Sequence, residues 1–116
     1  MLWWGLDPAR LKAPARAAIA APDNQIYLSA ASVWEIAIKA ALGRFPAKPD
    51  FTLAMRRGHF LPLDITVAHA EAAGALPIHH RDPFDRMLVA QAQSESLVIV
   101  SSDRRLAPYD VPILWA

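Results

Sequence analysis

The sequence predicts an α/β domain built around a mainly parallel sheet. Helical patterns alternate along the chain with short apolar segments of strand type, which is the order that βαβ units produce. Ten prolines stand mostly where an element is expected to begin or end. A length of 116 residues suits one small domain with a modest core, and no linker or repeat divides the chain. We therefore expect residues 1–116 to form a single domain.

Three helices and one strand are predicted in the first half of the chain. An alanine-rich helix covers about 14–22, and a short strand covers 26–29. The next helix runs over about 31–42 and stops at Gly43, a residue type that is common just past helix C-termini. A further helix is predicted over about 49–58, where Pro-Asp marks its start.

The second half continues the alternation. An edge strand is predicted over 60–63, because Pro62 would remove a hydrogen-bond donor from the ladder. Thr66 caps a helix that continues to about Leu76, and Asp82 caps the next helix, with Pro83 at its first position. The remaining segments of strand type are 97–100 and 111–115.

Composition excludes several broad classes. The apolar runs are too short to cross a bilayer, and the first residues lack the basic segment of a signal peptide, so we expect a cytoplasmic protein without a membrane. The absence of cysteine excludes disulfides and thiolate zinc sites. A net charge of +1 is unlike that of a protein that coats a duplex by charge alone. A local basic run is more simply a solvated face than an RNA-facing surface: Lys39, Arg44, Lys48, Arg56 and Arg57.

Two acids mark a candidate site. Asp85 lies in the first turn of a helix and Asp103 follows the next strand, so one helix–strand unit brings both to the same edge of a parallel sheet. Two carboxylates at that edge are what a divalent-metal site requires. Each acid also has a structural interpretation, since Asp85 suits the positive end of the helix dipole and Asp103 suits the start of a turn.

A third acid, Glu35, lies on a helix that is apolar around most of its circumference. Ser32, Glu35 and Lys39 form its narrow polar stripe. One interpretation is an exposed Glu35–Lys39 pair four residues apart. The other is a carboxylate that faces a cleft, with Lys39 beside it to meet phosphate. We favour the cleft, because so apolar a helix has little surface left to expose.

Asp82 is first of all a helix cap, with metal binding or support of the metal ligands as a further role. His79 and His80, just before it, invite a zinc interpretation. Adjacent histidines in an extended segment point in opposite directions, however, and the sequence offers no second ligand cluster. We therefore prefer to treat them as loop residues on the surface or near a phosphate path.

Three segments together resemble the PIN-domain family, and specifically the VapC-like toxins of bacterial type II toxin–antitoxin systems. They are SAASVWEIAIK at 29–39, HHRDPFDRMLVAQA at 79–92 and VSSD at 100–103. Each is weak alone, but the three in this order are highly specific, and the resemblance covers essentially the whole chain. It implies a three-layer α/β/α fold with a mainly parallel sheet.

The resemblance implies an endoribonuclease toxin that uses Mg²⁺ or Mn²⁺ to hydrolyse RNA phosphodiester bonds. Its catalytic and metal-binding acids would be Glu35, Asp85 and Asp103, with Asp82 and Ser101 supporting them. Metal ions in such a centre orient and activate water and neutralise the scissile phosphate. The resemblance also implies a cognate antitoxin as partner, and a homodimer. The nearby cations considered for RNA contacts are Lys39, Arg81, Arg86 and Arg104.

The chain departs from the family at its N-terminus. The family begins with an apolar strand, central in the sheet, that ends in an aspartate and leads into a short helix resembling Leu2-Trp3-Trp4. This chain begins inside that helix, so we expect the central strand and the first catalytic aspartate to be missing, and whether this chain is an active enzyme stays open. A misassigned start codon, a decayed gene copy or a chain expressed without its first residues would explain it. We favour the misassigned start, because the downstream motifs look intact.

Two other functions stay open at this point. A catalytically impaired PIN domain would act only as an interaction protein that binds the antitoxin or itself. A nuclease directed at DNA on the same fold is the weaker alternative.

Overall fold

The computed structural model describes residues 2–3, 13–21, 23–43, 56, 60–79 and 81–115. Its strands are β1 (Leu2–Trp3), β2 (Ile26–Ser29), β3 (Phe60–Leu63), β4 (Ile99–Ser101) and β5 (Ile113–Trp115). Its helices are α1 (Ala13–Ala20), α2 (Ala30–Ala41), α3 (Val67–Ala75) and α4 (Pro83–Glu95), and a 3-10 helix covers Arg104–Leu106. Among these described helices, none is both long enough and apolar enough to span a membrane. The helix predicted over 49–58 lies outside the described residues, apart from Arg56, which is helical.

The strands form one sheet in the order β3-β2-β1-β4-β5, and every pairing is parallel. The predicted α/β class with a mainly parallel sheet is therefore confirmed. β3, which contains Pro62, lies at an edge as predicted. The chain moves outward from β1 in one direction and returns to its other side at β4, so the strand order reverses beside β1. In open parallel sheets, this reversal leaves a crevice at the carboxyl ends of the strands.

The start of the chain differs from the sequence prediction. Leu2 and Trp3 form a strand, not the interior of a helix, and they pair with β2 at 27–28 and with β4 at 99–100. The central position of the sheet, predicted to be vacant, is occupied by these two residues. The physical reason is backbone hydrogen bonding. Without β1, the edges of β2 and β4 that face each other would have backbone N–H and C=O groups with no partner. Three apolar residues are too few to distinguish a strand from a helix by periodicity.

The predicted helix caps are confirmed. The Asp82 carboxylate accepts hydrogen bonds from the backbone N–H groups of Phe84 (2.8 Å) and Asp85 (3.2 Å), at the start of α4. The Thr66 side chain accepts from a backbone N–H in the first turn of α3. Gly43 follows α2 with a φ of +74°, in the left-handed region that glycine adopts without strain.

The buried core joins α4 to β4. Side chains of α4 pack against Ile99, and the segment after β4 closes the cluster. This packing holds the start of α4 beside the end of β4, because the helix and the strand run in opposite directions. The fully or nearly buried members of the cluster are Leu88, Val89, Ala92, Ile99, Leu106 and Tyr109.

Candidate active site

A small cleft of about 100 Å³ opens at the carboxyl edge of the sheet. β2 ends at this edge and leads directly into α2, and β4 ends at the same edge beside the start of α4. Four carboxylates and two cations line the cleft, which gives it a formal charge of −2. The lining residues are Glu35, Lys39, Asp82, Asp85, Ser101, Asp103 and Arg105.

Glu35 lies in the second turn of α2 and is only 6% exposed. Its Oε2 atom is 3.3 Å from the Nζ atom of Lys39, one turn later on the same helix face. The pair therefore lines the cleft with the carboxylate buried, and does not form an exposed ion pair on an outer surface. A buried carboxylate requires such a partner, because burial without one is costly.

Asp85 and Asp82 reach the cleft from the first turn of α4. Asp85 is the third residue of the helix and is 6% exposed, as little as Glu35. Asp82 caps the helix and also lines the cleft, so the structural role predicted for it and a place at the site coexist. Both carboxylates lie near the positive end of the helix dipole, which stabilises negative charge there.

Asp103 and Ser101 come from the end of β4. Ser101 is the last residue of the strand, and its buried Oγ atom accepts a hydrogen bond from the backbone N–H of Asp103 at 3.0 Å. Asp103 in turn caps the short 3-10 helix by accepting from the backbone N–H of Arg105 at 3.0 Å. The turn that places Asp103 at the cleft is thus held at both of its ends.

Arg105 is the cleft residue that sequence reasoning missed. Its Nη2 and Nε atoms donate to the two carboxylate oxygens of Asp103 at 2.7 Å and 3.0 Å, and Nη2 is 3.8 Å from Oδ2 of Asp85. The hydrogen bond and the charge of Asp103 raise the pKa of Arg105 above its usual value. The only signal in the sequence was the Arg104-Arg105 pair, and the 3-10 turn decides which of the two faces the acids.

The cations proposed for RNA contact lie in different surroundings. Lys39 lines the cleft. Arg86 donates from its guanidinium to the carbonyl oxygens of Ala73 (2.8 Å), Leu76 (3.1 Å) and Pro77 (3.1 Å), at the end of α3. The Arg104 guanidinium lies 4.3 Å above the centroid of the Trp115 ring. Arg81 is exposed. Of the four, the structure brings Lys39 to the acids.

A buried polar network joins the two helices that carry Glu35 and Asp85. Ser29, the N-cap of α2, donates from Oγ to Oε1 of Gln91 on α4 at 2.5 Å. Gln91 is fully buried and donates from Nε2 to the carbonyl oxygen of Asp64 at 3.3 Å. Because a broken buried hydrogen bond costs the desolvation of the group left behind, this network fixes the separation of α2 and α4. Sequence reasoning placed Gln91 on the helix but gave it no role.

The donor types at the cleft suit a hard divalent cation, because carboxylate oxygens are the ligands that Mg²⁺ and Mn²⁺ prefer. Ser32, on the polar stripe of α2, adds a buried hydroxyl that has no hydrogen-bond partner among the described residues. Among the residues that the structure describes, however, no three acidic or histidine side chains lie close enough together to hold one metal ion. Asp103 and Glu35 are paired with Arg105 and Lys39 instead.

The zinc interpretation gains no support from the histidines. The His79 ring packs edge-on against Tyr109, with 5.1 Å between the ring centroids. His80 lies outside the described residues.

The PIN-domain family model matches residues 1–112, and the chain belongs to this family. Within the family it is VapC-like: it is 34% identical over 113 residues to Ribonuclease VapC22 of Mycobacterium tuberculosis (strain ATCC 25618 / H37Rv), covering 95% of this chain and 86% of that protein.

Solved structures agree in fold. One is the crystal structure of VapBC2 from Rickettsia felis bound to a DNA fragment from their promoter. The match covers 99% of this chain and 98% of that chain, with a TM-score of 0.61 and 14% identity. The structure of FitAB bound to IR36 DNA matches 99% and 94%, with a TM-score of 0.57 and 12% identity. FitAcB from Neisseria gonorrhoeae matches 98% and 96%, with a TM-score of 0.51 and 21% identity.

Proposed function

We propose that this protein is a divalent-metal-dependent endoribonuclease toxin that hydrolyses RNA phosphodiester bonds. The observation that carries the proposal is the cleft itself, in which buried Glu35 and Asp85 lie with Asp103 at the carboxyl edge of a parallel sheet. Burying two carboxylates in one small cleft is costly unless cations compensate them. The similarity to a protein named as a ribonuclease supports RNA as the substrate.

Each residue of the cleft has a role in this proposal. Glu35, Asp85 and Asp103 would hold Mg²⁺ or Mn²⁺, which when bound supplies an activated water and charge neutralisation at the scissile phosphate. Asp82 orders the first turn of α4 and so positions Asp85. Ser101 positions Asp103 through its backbone N–H. Lys39, at the wall of the cleft, would meet the phosphate backbone of the substrate.

We also propose that the protein acts in the cytoplasm as one member of a toxin–antitoxin pair. A protein partner is supported by an exposed apolar stripe on α2 and its C-cap, formed by Trp34 (61% exposed), Ile38 (36%) and Leu42 (65%). Apolar patches of this kind mark interaction surfaces more often than isolated exposed residues do. The stripe adjoins the cleft, because Trp34 packs edge-on against Phe84, the residue before Asp85. A partner seated there would cover the mouth of the cleft, as a neutralising antitoxin would.

Cleavage of RNA by the Asp85→Asn variant tests the proposed function. The substitution keeps the side-chain shape but removes a charge from the metal-binding set, so we expect Mg²⁺-dependent turnover to fall by about 100-fold or more. Cleavage of a labelled single-stranded RNA with Mg²⁺ and with EDTA provides the measurement. The matched control is Asp110→Asn, which removes an exposed carboxylate that does not line the cleft.

Metal-dependent turnover that persists in Asp85→Asn would place the chemistry elsewhere. If the unsubstituted chain binds its antitoxin but cleaves no RNA, the protein is the catalytically impaired interaction protein instead. Cleavage of a single-stranded DNA of the same sequence, in preference to the RNA, would indicate the DNA-directed nuclease.

A further inference from the structure

We propose that Arg105 competes with the divalent ion for Asp103 and Asp85. This inference rests on the proposed function, because it concerns the same acids. It goes further by assigning a competitor of the metal to a residue of the chain itself.

The geometry of Arg105 is that of a cation bound by carboxylates. Its guanidinium makes a fork-to-fork contact with Asp103, with Nη2–Oδ2 at 2.7 Å and Nε–Oδ1 at 3.0 Å. The same Nη2 atom lies 3.8 Å from Oδ2 of Asp85, so one positive group spans two of the three proposed metal ligands. Two-pronged contacts of this kind are the strong form of arginine–carboxylate pairing.

The same contacts predict that the arginine yields to a divalent ion. The Arg105 side chain is 65% exposed, whereas those of Asp103 and Asp85 are 24% and 9% exposed. Arg105 therefore approaches the acids from the solvent side, and it loses little buried contact when it leaves. A doubly charged ion approaches carboxylate oxygens to about 2.1 Å, closer than the guanidinium, so its attraction to the same oxygens is stronger.

The neighbouring arginine, Arg104, contacts a different group. The Arg104 guanidinium lies over the ring of Trp115, 4.3 Å from the ring centroid, although the two residues carry the same charge one position apart. Replacing Arg104 removes the same charge without removing the contact to Asp103, so it is a matched control for the effect of net charge. A second control is Arg105→Lys, which keeps the charge but cannot make the planar two-pronged contact.

Binding of Mn²⁺ to the full chain, measured by electron paramagnetic resonance of the free ion, tests the proposal without any measure of activity. We expect Arg105→Gln to bind Mn²⁺ about two- to fivefold more tightly than the unsubstituted chain, the range that an exposed ion pair supports. Arg105→Lys should also bind more tightly, and Arg104→Gln should match the unsubstituted chain. In ¹⁵N-labelled protein, the Nε–Hε signal of Arg105 should shift during titration with Mg²⁺ while that of Arg104 stays in place.

The outcomes separate this inference from the proposed function. Equal Mn²⁺ affinity in the unsubstituted chain, Arg105→Gln and Arg105→Lys, with loss of binding in Asp85→Asn, would overturn the competition and leave the metal site intact. Equal tightening by Arg104→Gln and Arg105→Gln, with none in Arg105→Lys, would reduce the effect to net charge and also overturn it. If Mn²⁺ binds the unsubstituted chain and Asp85→Asn alike, both the inference and the proposed site fail.

Discussion

Among single residues, three arginines show how the surroundings of a side chain decide its task. Arg86 donates to three backbone carbonyls, Arg104 lies over an aromatic ring, and Arg105 donates two hydrogen bonds to a carboxylate. Arginine suits all three positions because its planar guanidinium carries several fixed donors and an apolar face. For Arg86 the contacts indicate a structural task. The carbonyls that it reaches lie in or just after the last turn of α3, where helix carbonyls have no partner within the helix.

Replacing Arg86 with glutamine should therefore destabilise the fold. Glutamine is too short to reach the three carbonyls, and we expect the free energy of unfolding to fall by about 1–3 kcal/mol, because partly buried hydrogen bonds from a charged donor are lost. Arg81→Gln is the matched control, because Arg81 is exposed and its loss should change stability by less than about 0.5 kcal/mol. Urea unfolding followed by circular dichroism measures both. Equal midpoints for the two variants would contradict a structural role for Arg86.

Among whole elements, α4 connects the core to the site. Asp82 and Asp85 stand in its first turn at the cleft, Leu88 and Val89 pack in the core, and Gln91 binds the N-cap of α2. One helix thus carries a proposed ligand, core side chains and a tether to the helix of Glu35. The ends of the elements matter as much as their faces, because caps and turns determine where each acid lies.

The two glycines at helix α2 and helix α3 test how helix ends are specified. Gly43 follows α2 with a φ of +74°, whereas Gly74 lies within α3, and a Cβ atom added at either would meet no atom within 4 Å. An added methyl group therefore meets no steric clash at either position, and the two glycines differ in their backbone conformation. Gly43→Ala should lower the free energy of unfolding by about 1 kcal/mol, and Gly74→Ala should raise it by about 0.5–1 kcal/mol. Thermal unfolding checks the opposite signs, and a shift of the same sign in both would refute the argument.

For the molecule as a whole, the cleft and the exposed stripe of α2 lie side by side. A partner that covers Trp34 and Leu42 would reach the mouth of the cleft, so the proposed antitoxin would bind the protein and block the cleft in one event. Replacing both residues with serine should weaken binding of the cognate antitoxin about tenfold or more, because a buried tryptophan is often a major contributor to an interface. Val67→Ser is the control, since Val67 is 77% exposed on another helix. Isothermal titration measures affinity, and unchanged affinity in the double variant would exclude this surface.

The order of elements and the acids at the sheet edge follow from local sequence. Caps such as Thr66 and Asp82, the glycine after α2 and the period of apolar residues all act within one or two helical turns, so they can be recognised without the fold. That Asp85 and Asp103 share an edge follows from one helix joined to one strand. Those features were predicted correctly, and with them most of the parallel sheet.

The other features depend on contacts between distant segments. Leu2 and Trp3 became the central strand because β2 and β4 both needed a ladder partner, which no local pattern could indicate. Gln91 acquired its role from Ser29, 62 positions earlier in the chain. Arg105 faces the acids while Arg104 faces Trp115, because a single 3-10 turn sets their directions. Local chemistry therefore established the elements and the acids at the sheet edge, whereas long-range pairing and packing decided which side chains meet in the cleft.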